Sequence, residues 1–500
     1  MAFLMDQTRS LVVTVVVIAV LHMVGKAIYN VFFHPLRAFP GPISHAISPL
    51  PYCYRLLRGS LPLDMLALHE KYGDVVRIAP GELAFAHVDA WKDIHGHPAN
   101  GGEECGKLMS FYKYADGTPT SIANADREEH GLLRRQLSHG FSERAMRAQE
   151  PLITQYVDLL IRRLHEKCAA GTEPLDMVSW YNFTTFDIIG DLAFGKPFGS
   201  LENSVYHPFI PLLLESAKAG TLMLSLSFFP FLKKIFLALV PKSVVKAFQE
   251  HRDVSVAKLR ERMQAGNERD DLIEGLLRKK DELDLDMDRL QANGTILLIG
   301  GSETTATLLS GITYLLLQNP KVLTRLTDEV RTTFQNEQEI NIDSVNGLTY
   351  MLACLNEALR SYPPIPIGLP RVVPKSGRYI LGQYVTPDTI VAIHHWATYH
   401  TQKYFTDPFG FHPERFLGDE RFANDNFDIL QPFNVGPRNC LGRNLAYAEM
   451  RLILARLIYN FDMKLSTDSV GWMERQKIFF LWNKPPLHIK AFTLVDLVCT

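Results

Sequence analysis

The longest apolar run in the chain extends from residue 11 to residue 33 and reads LVVTVVVIAVLHMVGKAIYNVFF. As a helix rising about 1.5 Å per residue it would span roughly 34 Å, slightly more than the hydrocarbon core of a bilayer. The segment from Phe32 to Pro35 offers no small-residue cleavage site, which argues against the alternative of a cleaved signal peptide. We therefore predict a single N-terminal transmembrane helix.

The segment that follows, residues 34–42, contains Pro35, Pro40 and Pro42 and cannot continue a helix. We predict three parts for the chain: a membrane anchor over 1–33, a proline-rich hinge over 34–42 and one catalytic domain over 43–500. Basic residues after the apolar run slightly outweigh those before it, which favours a cytosolic position for the bulk of the chain.

Helical spacing of apolar residues dominates the rest of the chain, so the fold is predicted to be mainly α with small β-sheets (α+β). Strands are predicted between Asp74 and His87, where apolar and polar residues alternate on both sides of Pro80-Gly81. The predicted helices are Glu128–Leu137, Gln149–His165, Tyr181–Phe194, Lys242–Glu282 and Leu290–Leu317. The last of these is apolar nearly all round, which is typical of a buried helix.

A second apolar region, residues 222–240, is interrupted by Pro230 and carries Lys233 and Lys234. Two interpretations remain open from the pattern alone. The region forms a pair of core helices, or it forms a surface that dips into the bilayer.

Composition narrows the class of protein. The chain has 500 residues, 47% of them hydrophobic, and a formal net charge of -2, so it is long enough for a large core and lacks the basic excess of a nucleic-acid binder. We expect no nucleic-acid partner. Its six cysteines include no CxxC pair, which favours a reducing compartment.

Candidate chemistry is concentrated in the loop 432–443, PFNVGPRNCLGR, which precedes a helical stretch. Cys440 lies just before that helix, where backbone N–H groups are expected to stabilise a thiolate that acts as a metal ligand or nucleophile. Gly436 and Gly442 would let the backbone approach a flat cofactor, and Arg438 would pair with a carboxylate on it. A buried structural cysteine is the alternative.

The spacing of Phe433, Gly436, Arg438, Cys440 and Gly442 resembles the haem-binding loop of the cytochromes P-450, the haem-thiolate monooxygenases. The resemblance implies the cytochrome P-450 fold and haem b as cofactor. It also implies that Cys440 is the axial thiolate ligand, that Phe433 packs near its sulfur and that Arg438 meets a haem propionate. A thiolate ligand pushes electron density to the iron and favours O–O cleavage.

Residues 300–305, GGSETT, lie in the middle of the predicted buried helix and resemble the oxygen-activating segment of the same family. The resemblance implies that Thr304 hydrogen-bonds dioxygen and that Glu303 belongs to a proton relay. Gly300 and Gly301 would leave room for a ligand or for a local distortion of the helix. The alternative is a threonine that bonds back to the carbonyl four residues earlier, with Glu303 at a polar contact.

Two further motifs resemble elements that hold the cysteine loop in place. Glu357 and Arg360 match the family's ExxR element, and Arg415 belongs to a PERF element. The resemblance implies a buried charge network of these three residues, whereas an isolated pair three residues apart is usually a surface ion pair.

Three more basic residues resemble the family's ligands to the haem propionates. His130 and Arg134 lie four apart on a predicted helix, and His130 stands where many members have tryptophan. Arg371 follows Arg360 by eleven residues and is a similar candidate. For each of the three, an ordinary surface basic residue is the alternative.

By family position, the substrate pocket should be apolar and bind a hydrophobic small molecule such as a polyketide or terpenoid. The expected wall residues are Phe111, Tyr112, Ile296, Ile299, Ile365, Phe479 and Phe480.

The activity that the resemblance implies is a haem-dependent monooxygenase that inserts one atom of dioxygen into this substrate. No NADPH-binding or flavin motif is visible, so electrons are expected from NADPH through a partner, the membrane-bound NADPH-cytochrome reductase. The segments YNVFFHPL and FPGP resemble microsomal fungal members, many of which serve secondary metabolism. The implied location is the endoplasmic reticulum membrane, with one span and a cytosolic catalytic domain. A haem-thiolate isomerase or dehydratase, or a non-catalytic haem-binding membrane protein, are the alternatives.

Overall fold

The protein is mainly α-helical with small β-sheets, as the sequence pattern predicts. A computed structural model describes residues 2–98, 102–113, 117–168, 171–264, 266 and 269–493. The end of the predicted catalytic domain, 494–500, lies outside the described residues.

The helices of the described chain, in order, are α1 (Ala2–Ile28), α2 (Ile43–Ile47), α3 (Leu50–Arg58), α4 (Leu61–Tyr72), α5 (Val88–His95), α6 (Met109–Tyr112), α7 (Arg127–Leu137), α8 (Glu143–Lys167), α9 (Met177–Phe194), α10 (Ser200–Asn203), α11 (Phe209–Ser227), α12 (Pro230–Ala238), α13 (Lys242–Gln264), α14 (Glu274–Arg278), α15 (Met287–Gln318), α16 (Pro320–Thr333), α17 (Thr349–Ser361), α18 (His395–Tyr399) and α19 (Arg443–Asn460). The strands are β1 (Val75–Ala79), β2 (Glu82–Phe85), β3 (Gly106–Lys107), β4 (Leu175–Asp176), β5 (Arg371–Val372), β6 (Arg378–Ile380), β7 (Gln383–Val385), β8 (Ile390–Ile393), β9 (Phe461–Leu465), β10 (Lys477–Phe479), β11 (Leu481–Asn483) and β12 (His488–Thr493).

The largest sheet has five strands in the order β1-β2-β8-β5-β3. Strands β1 and β2 form the hairpin expected around Pro80-Gly81, and β2 pairs in parallel with β8. At the far edge, β3 pairs antiparallel with β5 and sets Lys107 directly opposite Arg371. The sheet therefore connects the N-terminal part of the domain to the segment that follows Arg360. That segment contains β5 to β8 and the short helix α18.

Helix α15 is the central packing element of the domain. It packs along α9 and also contacts α13, α17 and α19. Leu298, Leu309 and Ile312 are fully buried, as the all-round apolar pattern predicts. Gly301 meets the Ile189 side chain, and a Cβ at Gly301 would lie 2.7 Å from its Cδ1. The small residue at 301 therefore permits the close approach of α15 to α9.

The apolar region 222–240 divides into two helices with different environments. Leu224, near the C-terminal end of α11, is buried and belongs to a core cluster. By contrast, α12 has no buried residue, and Phe231 and Leu239 are 75% and 74% exposed. The interpretation as a pair of core helices is therefore wrong for α12.

The predicted helix Lys242–Glu282 is also wrong in its second half, because α13 ends at Gln264. The chain then folds back, and the Leu272 N–H donates to the Leu192 carbonyl of α9 at 2.9 Å. A buried ion pair holds this loop, with 2.6 Å between Arg262 Nε and Asp271 Oδ2. Continuing the helix would pull the Asp271 carboxylate away from its partner, and a buried unpaired charge is costly.

The predicted membrane anchor forms α1, which continues through one π-helical turn at Tyr29–Phe33. Within the described residues it is the one helix long and apolar enough to cross a membrane. The proline segment after it packs on the domain: Leu36 is buried, and the Arg77 N–H donates to the Pro40 carbonyl at 2.7 Å. The segment proposed as a hinge is therefore tied to strand β1.

The contact of α15 with the end of α17 yields a stability prediction. A Cβ at Gly311 would lie 2.2 Å from the Tyr362 ring, which stacks on Trp482 with centroids 4.4 Å apart. Because that ring has no room to move, we expect Gly311→Ala to lower the free energy of unfolding by about 1–3 kcal/mol. At Gly131 a Cβ meets nothing within 4 Å. Gly131→Ala should therefore be neutral or stabilising by up to ~1 kcal/mol. Denaturant unfolding of the two variants checks this, and equal stabilities would contradict it.

Candidate active site

A cavity of about 330 Å³ lies between α15, α19 and the cysteine loop. Its wall is mostly apolar and includes Leu297, Leu308 and Leu445. Of the seven residues expected in the substrate pocket, Ile296 and Ile365 line this cavity. Such an enclosed apolar space with a few polar groups is the usual form of a small-molecule or cofactor site.

Both helices present residues to the cavity at helical spacing. Helix α15 contributes Ile296, Gly300, Thr304 and Leu308, which are four residues apart, together with Leu297, Gly301 and Thr305 beside them. Helix α19 contributes Leu445, Ala446, Glu449 and Met450, after Gly442 at its N-terminus. Side chains four apart share one face of a helix, so these two faces are directed at the same space.

The cysteine loop delivers Cys440 to the cavity wall, where its thiol is exposed to the cavity. The loop is fixed by its own backbone, since the Cys440 N–H donates to the Phe433 carbonyl at 2.8 Å. Gly436 has a φ of 75°, and a Cβ there would lie 2.0 Å from the His95 carbonyl oxygen of α5. Glycine is thus required at 436 by the approach to α5.

The pKa of the Cys440 thiol is raised from its usual value, because burial disfavours the thiolate. The hydrogen bond from the Gly442 backbone and the charges of Arg134 and Arg443 act in the opposite direction. The helix N-terminus therefore favours the Cys440 thiolate, as expected. In the protein without a bound cofactor, however, desolvation of the thiolate has the larger effect on the pKa. Gly442 itself is not crowded, since a Cβ would meet only Phe141 at 3.5 Å.

Arg134, one of the expected propionate ligands, contacts the cysteine loop. Its Nη1 donates to the Asn439 carbonyl at 2.7 Å, and its Nη2 donates to the Asn439 side chain at 2.5 Å. This side chain joins α7 to the residue that precedes Cys440. The position of Arg134 is consistent with two roles: holding the cysteine loop in place and binding a cofactor carboxylate.

The other expected propionate ligands converge with a residue that the sequence did not single out. Lys107, His130, Arg371 and Arg438 form what we call the cationic cluster, and each carries or can carry positive charge. Burial, followed by the charges of the other three cluster members and Arg134, lowers the pKa of His130 to about 3. Burial and the neighbouring arginines likewise lower the pKa of Lys107 to about 7.

The cationic cluster carries more positive charge than its protein partners neutralise. Arg438 pairs with Glu104 at 2.7 Å and donates to the Ala125 carbonyl at 3.0 Å. Arg371 is 4% exposed, and its Nε has no hydrogen-bond partner among the described residues. Lys107 faces it directly across the β3–β5 pair, an arrangement that is destabilising for like charges. A flat cofactor that bears carboxylates fits this cluster, since its anions would supply the missing countercharge.

No motif points to Lys107. Only the strand register places it opposite Arg371, and strands of two residues are too short to be read from alternation.

Thr304 and Glu303, expected to act together, lie on different sides of α15. Thr304 lines the cavity and donates to the Gly300 carbonyl at 2.6 Å, and a Cβ at Gly300 would meet nothing within 4 Å. Glu303 is outside the cavity lining and forms a buried ion pair with Lys484. Its Oε1 also accepts from Thr307 Oγ1 at 3.2 Å. Both side chains are thus in the arrangement of the alternative, with Thr304 bonded back to the carbonyl four residues earlier and Glu303 at a polar contact. Thr304 nevertheless lines the cavity, where its hydroxyl oxygen can accept a hydrogen bond from a ligand.

Glu357, Arg360 and Arg415 come together in a network whose side chains are completely buried. Both Glu357 oxygens accept from Arg360, at 2.7 and 2.8 Å, and Arg415 Nε donates to one of them at 3.3 Å. Arg415 also pairs with Asp425. The pair of Glu357 and Arg360 is therefore buried and is not a surface ion pair.

The network is connected to the cysteine loop through one tyrosine. Arg360 Nη1 donates to the Tyr399 carbonyl at 3.0 Å, and the Tyr399 hydroxyl accepts from the Gln431 N–H at 2.9 Å. Gln431 directly precedes the loop that carries Cys440. The positions of the network and of the cysteine are therefore mechanically coupled.

Five of the expected pocket residues lie outside this cavity lining. Phe111 and Phe480 pack on each other, with ring centroids 4.5 Å apart, beside the cluster that contains Ile367. Tyr112 lies under the Lys107 ammonium, 4.7 Å from its ring centroid. Phe479 contacts the backbone turn at Gly59. Ile299 lies on the same face of α15 as Glu303 and Thr307, which are four and eight residues later, and this face differs from the one that carries Thr304.

The comparisons with known proteins agree with this geometry. Residues 48–491 match the family model for Cytochrome P450. The chain is 49% identical to "Cytochrome P450 monooxygenase tpeC" of Talaromyces stipitatus, over 93% of this chain and 91% of the relative. It is 46% identical to "Cytochrome P450 monooxygenase prhB" of Penicillium brasilianum, over 95% and 97%. It is 44% identical to "Trichothecene C-15 hydroxylase" of Fusarium sporotrichioides, over 94% and 95%.

The buried network gives the second stability prediction. Arg360→Met would remove the main countercharge of the buried Glu357 carboxylate and leave it the Arg415 Nε at 3.3 Å and the His412 N–H at 3.0 Å. We therefore expect the free energy of unfolding to fall by about 3–5 kcal/mol. Arg421→Met removes the surface pair with Asp419 and should cost less than about 1 kcal/mol. Thermal and denaturant unfolding of both variants measures the difference. A loss of similar size in the two would show that the Arg360 pair is not a structural requirement.

Proposed function

We propose a specific oxidation chemistry for this chain, which belongs to the cytochrome P450 family. The protein is a haem-dependent monooxygenase, the activity that the names of its relatives carry. In the proposed reaction, one atom of dioxygen enters a hydrophobic small molecule. The observation that carries this proposal is the placement of Cys440 and Thr304 on opposing elements of one apolar cavity.

The residues of the cavity fit a haem group. Cys440 would supply the thiolate ligand to its iron, and the cationic cluster, with Arg134, would pair with the haem carboxylates. Gly300 leaves open space on the cavity face of α15, and Phe433 of the cysteine loop also lines the cavity. When bound, haem with a thiolate ligand supplies the activation of dioxygen and the transfer of one oxygen atom to substrate.

The chain's own residues position reactants and exclude water. The apolar faces of α15 and α19 keep bulk solvent from the cavity, which strengthens polar interactions inside it. Thr304 presents a hydroxyl to the cavity and is the proposed hydrogen-bonding partner of dioxygen. Glu303 stays a proposed member of the proton relay, but it can reach Thr304 only after its carboxylate leaves Lys484.

The substrate is proposed to be a hydrophobic fungal secondary metabolite, a polyketide or a terpenoid. The apolar character of the wall supports this, as does the relative whose name states the hydroxylation of a trichothecene. Electrons are proposed to come from NADPH through a separate membrane-bound reductase.

The proposed location is the endoplasmic reticulum membrane, with α1 as a single span and the catalytic domain in the cytosol. A continuous set of contacts supports a second membrane-facing surface. Helix α1 contacts α2, α2 contacts α3, α3 contacts α11 and α11 contacts α12. These contacts connect α12, with its exposed apolar side chains, to the anchor and support an interfacial position for α12.

The haem assignment is tested by spectroscopy. The reduced protein in microsomes, treated with carbon monoxide, should show a strongly red-shifted Soret band because thiolate is the axial ligand. Cys440→Ser should lose this band, since serine supplies no thiolate. Cys168→Ser is the matched control, because Cys168 is buried outside the cavity. Folded wild-type protein without a haem signal would refute the proposed function.

The membrane assignment is tested by partitioning. A variant without residues 1–33 should still bind vesicles of microsomal lipid through α12. Adding Phe231→Asp and Leu239→Asp should release it to the supernatant, because charges on the buried side of an interfacial helix oppose insertion. Val470→Asp is the control, because Val470 is an apolar residue that is 64% exposed and lies outside α1 and α12. Equal binding of all variants would exclude α12 from the membrane contact.

A further inference from the structure

Glu104 is a partly buried acid that the proposed chemistry has not used. It lies just before β3, and its side chain is 14% exposed. Its Oε1 accepts from two nitrogens of Arg438, from Nη2 at 2.7 Å and from Nε at 3.1 Å. Arg438 is proposed to bind a haem carboxylate. The carboxylate of Glu104 therefore already occupies part of the group that a cofactor would use.

The guanidinium of Arg438 is only partly used by the protein. A guanidinium has five N–H donors. Its Nε and Nη2 each donate to Glu104, and its Nη1 donates to the Ala125 carbonyl at 3.0 Å. Arg438 also lines the cavity, and these bonds leave one N–H on each of Nη1 and Nη2. Glu104 and a ligand carboxylate can therefore bind the same arginine at the same time.

The charge of Glu104 also acts on other members of the cationic cluster. Burial lowers the pKa of Lys107 and of Arg371 most, and Glu104 acts in the opposite direction on both. Lys107 donates to the Ala123 carbonyl, and among the described residues the Arg371 Nε has no hydrogen-bond partner. Glu104 is therefore a countercharge that the chain itself supplies to this cluster.

We infer that Glu104 is an internal substitute for a cofactor carboxylate. It supplies countercharge that lets the cationic cluster fold before haem binds, and it then shares Arg438 with a haem carboxylate. The inference rests on the proposed haem site.

The two stages place opposite demands on this acid. A buried cation without a countercharge is costly, so Glu104 favours folding of the chain before the cofactor arrives. Two carboxylates on one guanidinium repel each other in a partly buried site, so the same acid weakens the hold on bound haem. Glu104 is a positioning residue in this scheme, because it acts on the cofactor through Arg438.

The first test measures haem loss from the full-length holoenzyme. Glu104→Gln removes the charge but keeps a side-chain oxygen that can accept from Arg438. We expect this variant to transfer haem to an excess of apomyoglobin roughly three- to tenfold more slowly than wild type, because the repulsion is removed. The reduction potential of the iron should become more positive, because a nearby negative charge favours the oxidised state. Glu104→Asp keeps the charge and should keep the wild-type potential.

Glu103 provides a matched control. It is the preceding acid in the same segment, is exposed, and its Oε2 accepts from Ser376 Oγ at 3.2 Å. Glu103→Gln removes the same charge without disturbing the bonds of Arg438, so haem loss and potential should remain at wild-type values. An equal change in the Glu103 and Glu104 variants would overturn the inference, because the contact with Arg438 would then be irrelevant.

The second test measures folding before the cofactor is bound. In cells that express the full chain with a limited supply of haem, Glu104→Gln should accumulate to a level roughly threefold lower than wild type, because the buried cations lack a countercharge. Addition of the haem precursor 5-aminolaevulinate should restore the yield of holoenzyme, because the haem carboxylates replace the missing anion.

The outcomes separate this inference from the proposed function. Unchanged or faster haem loss from Glu104→Gln would show that Glu104 does not oppose the bound cofactor, and it would overturn the inference. Equal yields of variant and wild type under limited haem would overturn it as well, as would a variant that forms no holoenzyme even with the precursor. A wild-type chain that binds no haem would instead refute the proposed function.

Discussion

The guanidinium of Arg360 is the constraint on which the active site depends. It is completely buried and bonds both oxygens of Glu357, and it also donates to the carbonyls of Tyr399, Pro408 and Gly410. A planar five-donor group is suited to this task, because it can join a helix to several loop carbonyls at once. Through the Tyr399 hydroxyl the same network reaches the start of the cysteine loop. The buried network of Glu357, Arg360 and Arg415 therefore helps to fix the position of the Cys440 thiol.

Electrostatics around the cavity link cofactor binding to the fold. Lys107 faces Arg371 across two paired strands, and among the described residues Arg438 forms an ion pair with Glu104. In a low-dielectric interior, such like charges repel strongly unless an anion lies between them. Lys107, Arg371 and Arg438 come from β3, β5 and the cysteine loop, which are far apart in sequence. A bound anionic group, as proposed above for the haem carboxylates, would offset this repulsion and stabilise the fold.

Two acids near the cavity have been given opposite environments. Glu303 is paired with Lys484 and Thr307 and lies outside the cavity lining. Glu449 lines the cavity without a hydrogen-bond partner among the described residues, and burial raises its pKa to about 8. The distinction here results from which helix stripe each residue occupies.

The sequence by itself determined the helical class, the apolar anchor, the buried character of α15 and the family to which the cysteine loop belongs. These properties follow from periodicity, from the length of apolar runs and from fixed spacing within one segment, all of which are local. Only the tertiary structure decided that α12 is exposed, that α13 ends at Gln264 and that Gly436 is required by α5. It also decided that Lys107 meets Arg371 and that Glu449 opens on the cavity. The physical reason is the same in each case: a local pattern specifies which face of an element is apolar, but the partner opposite that face comes from a distant part of the chain.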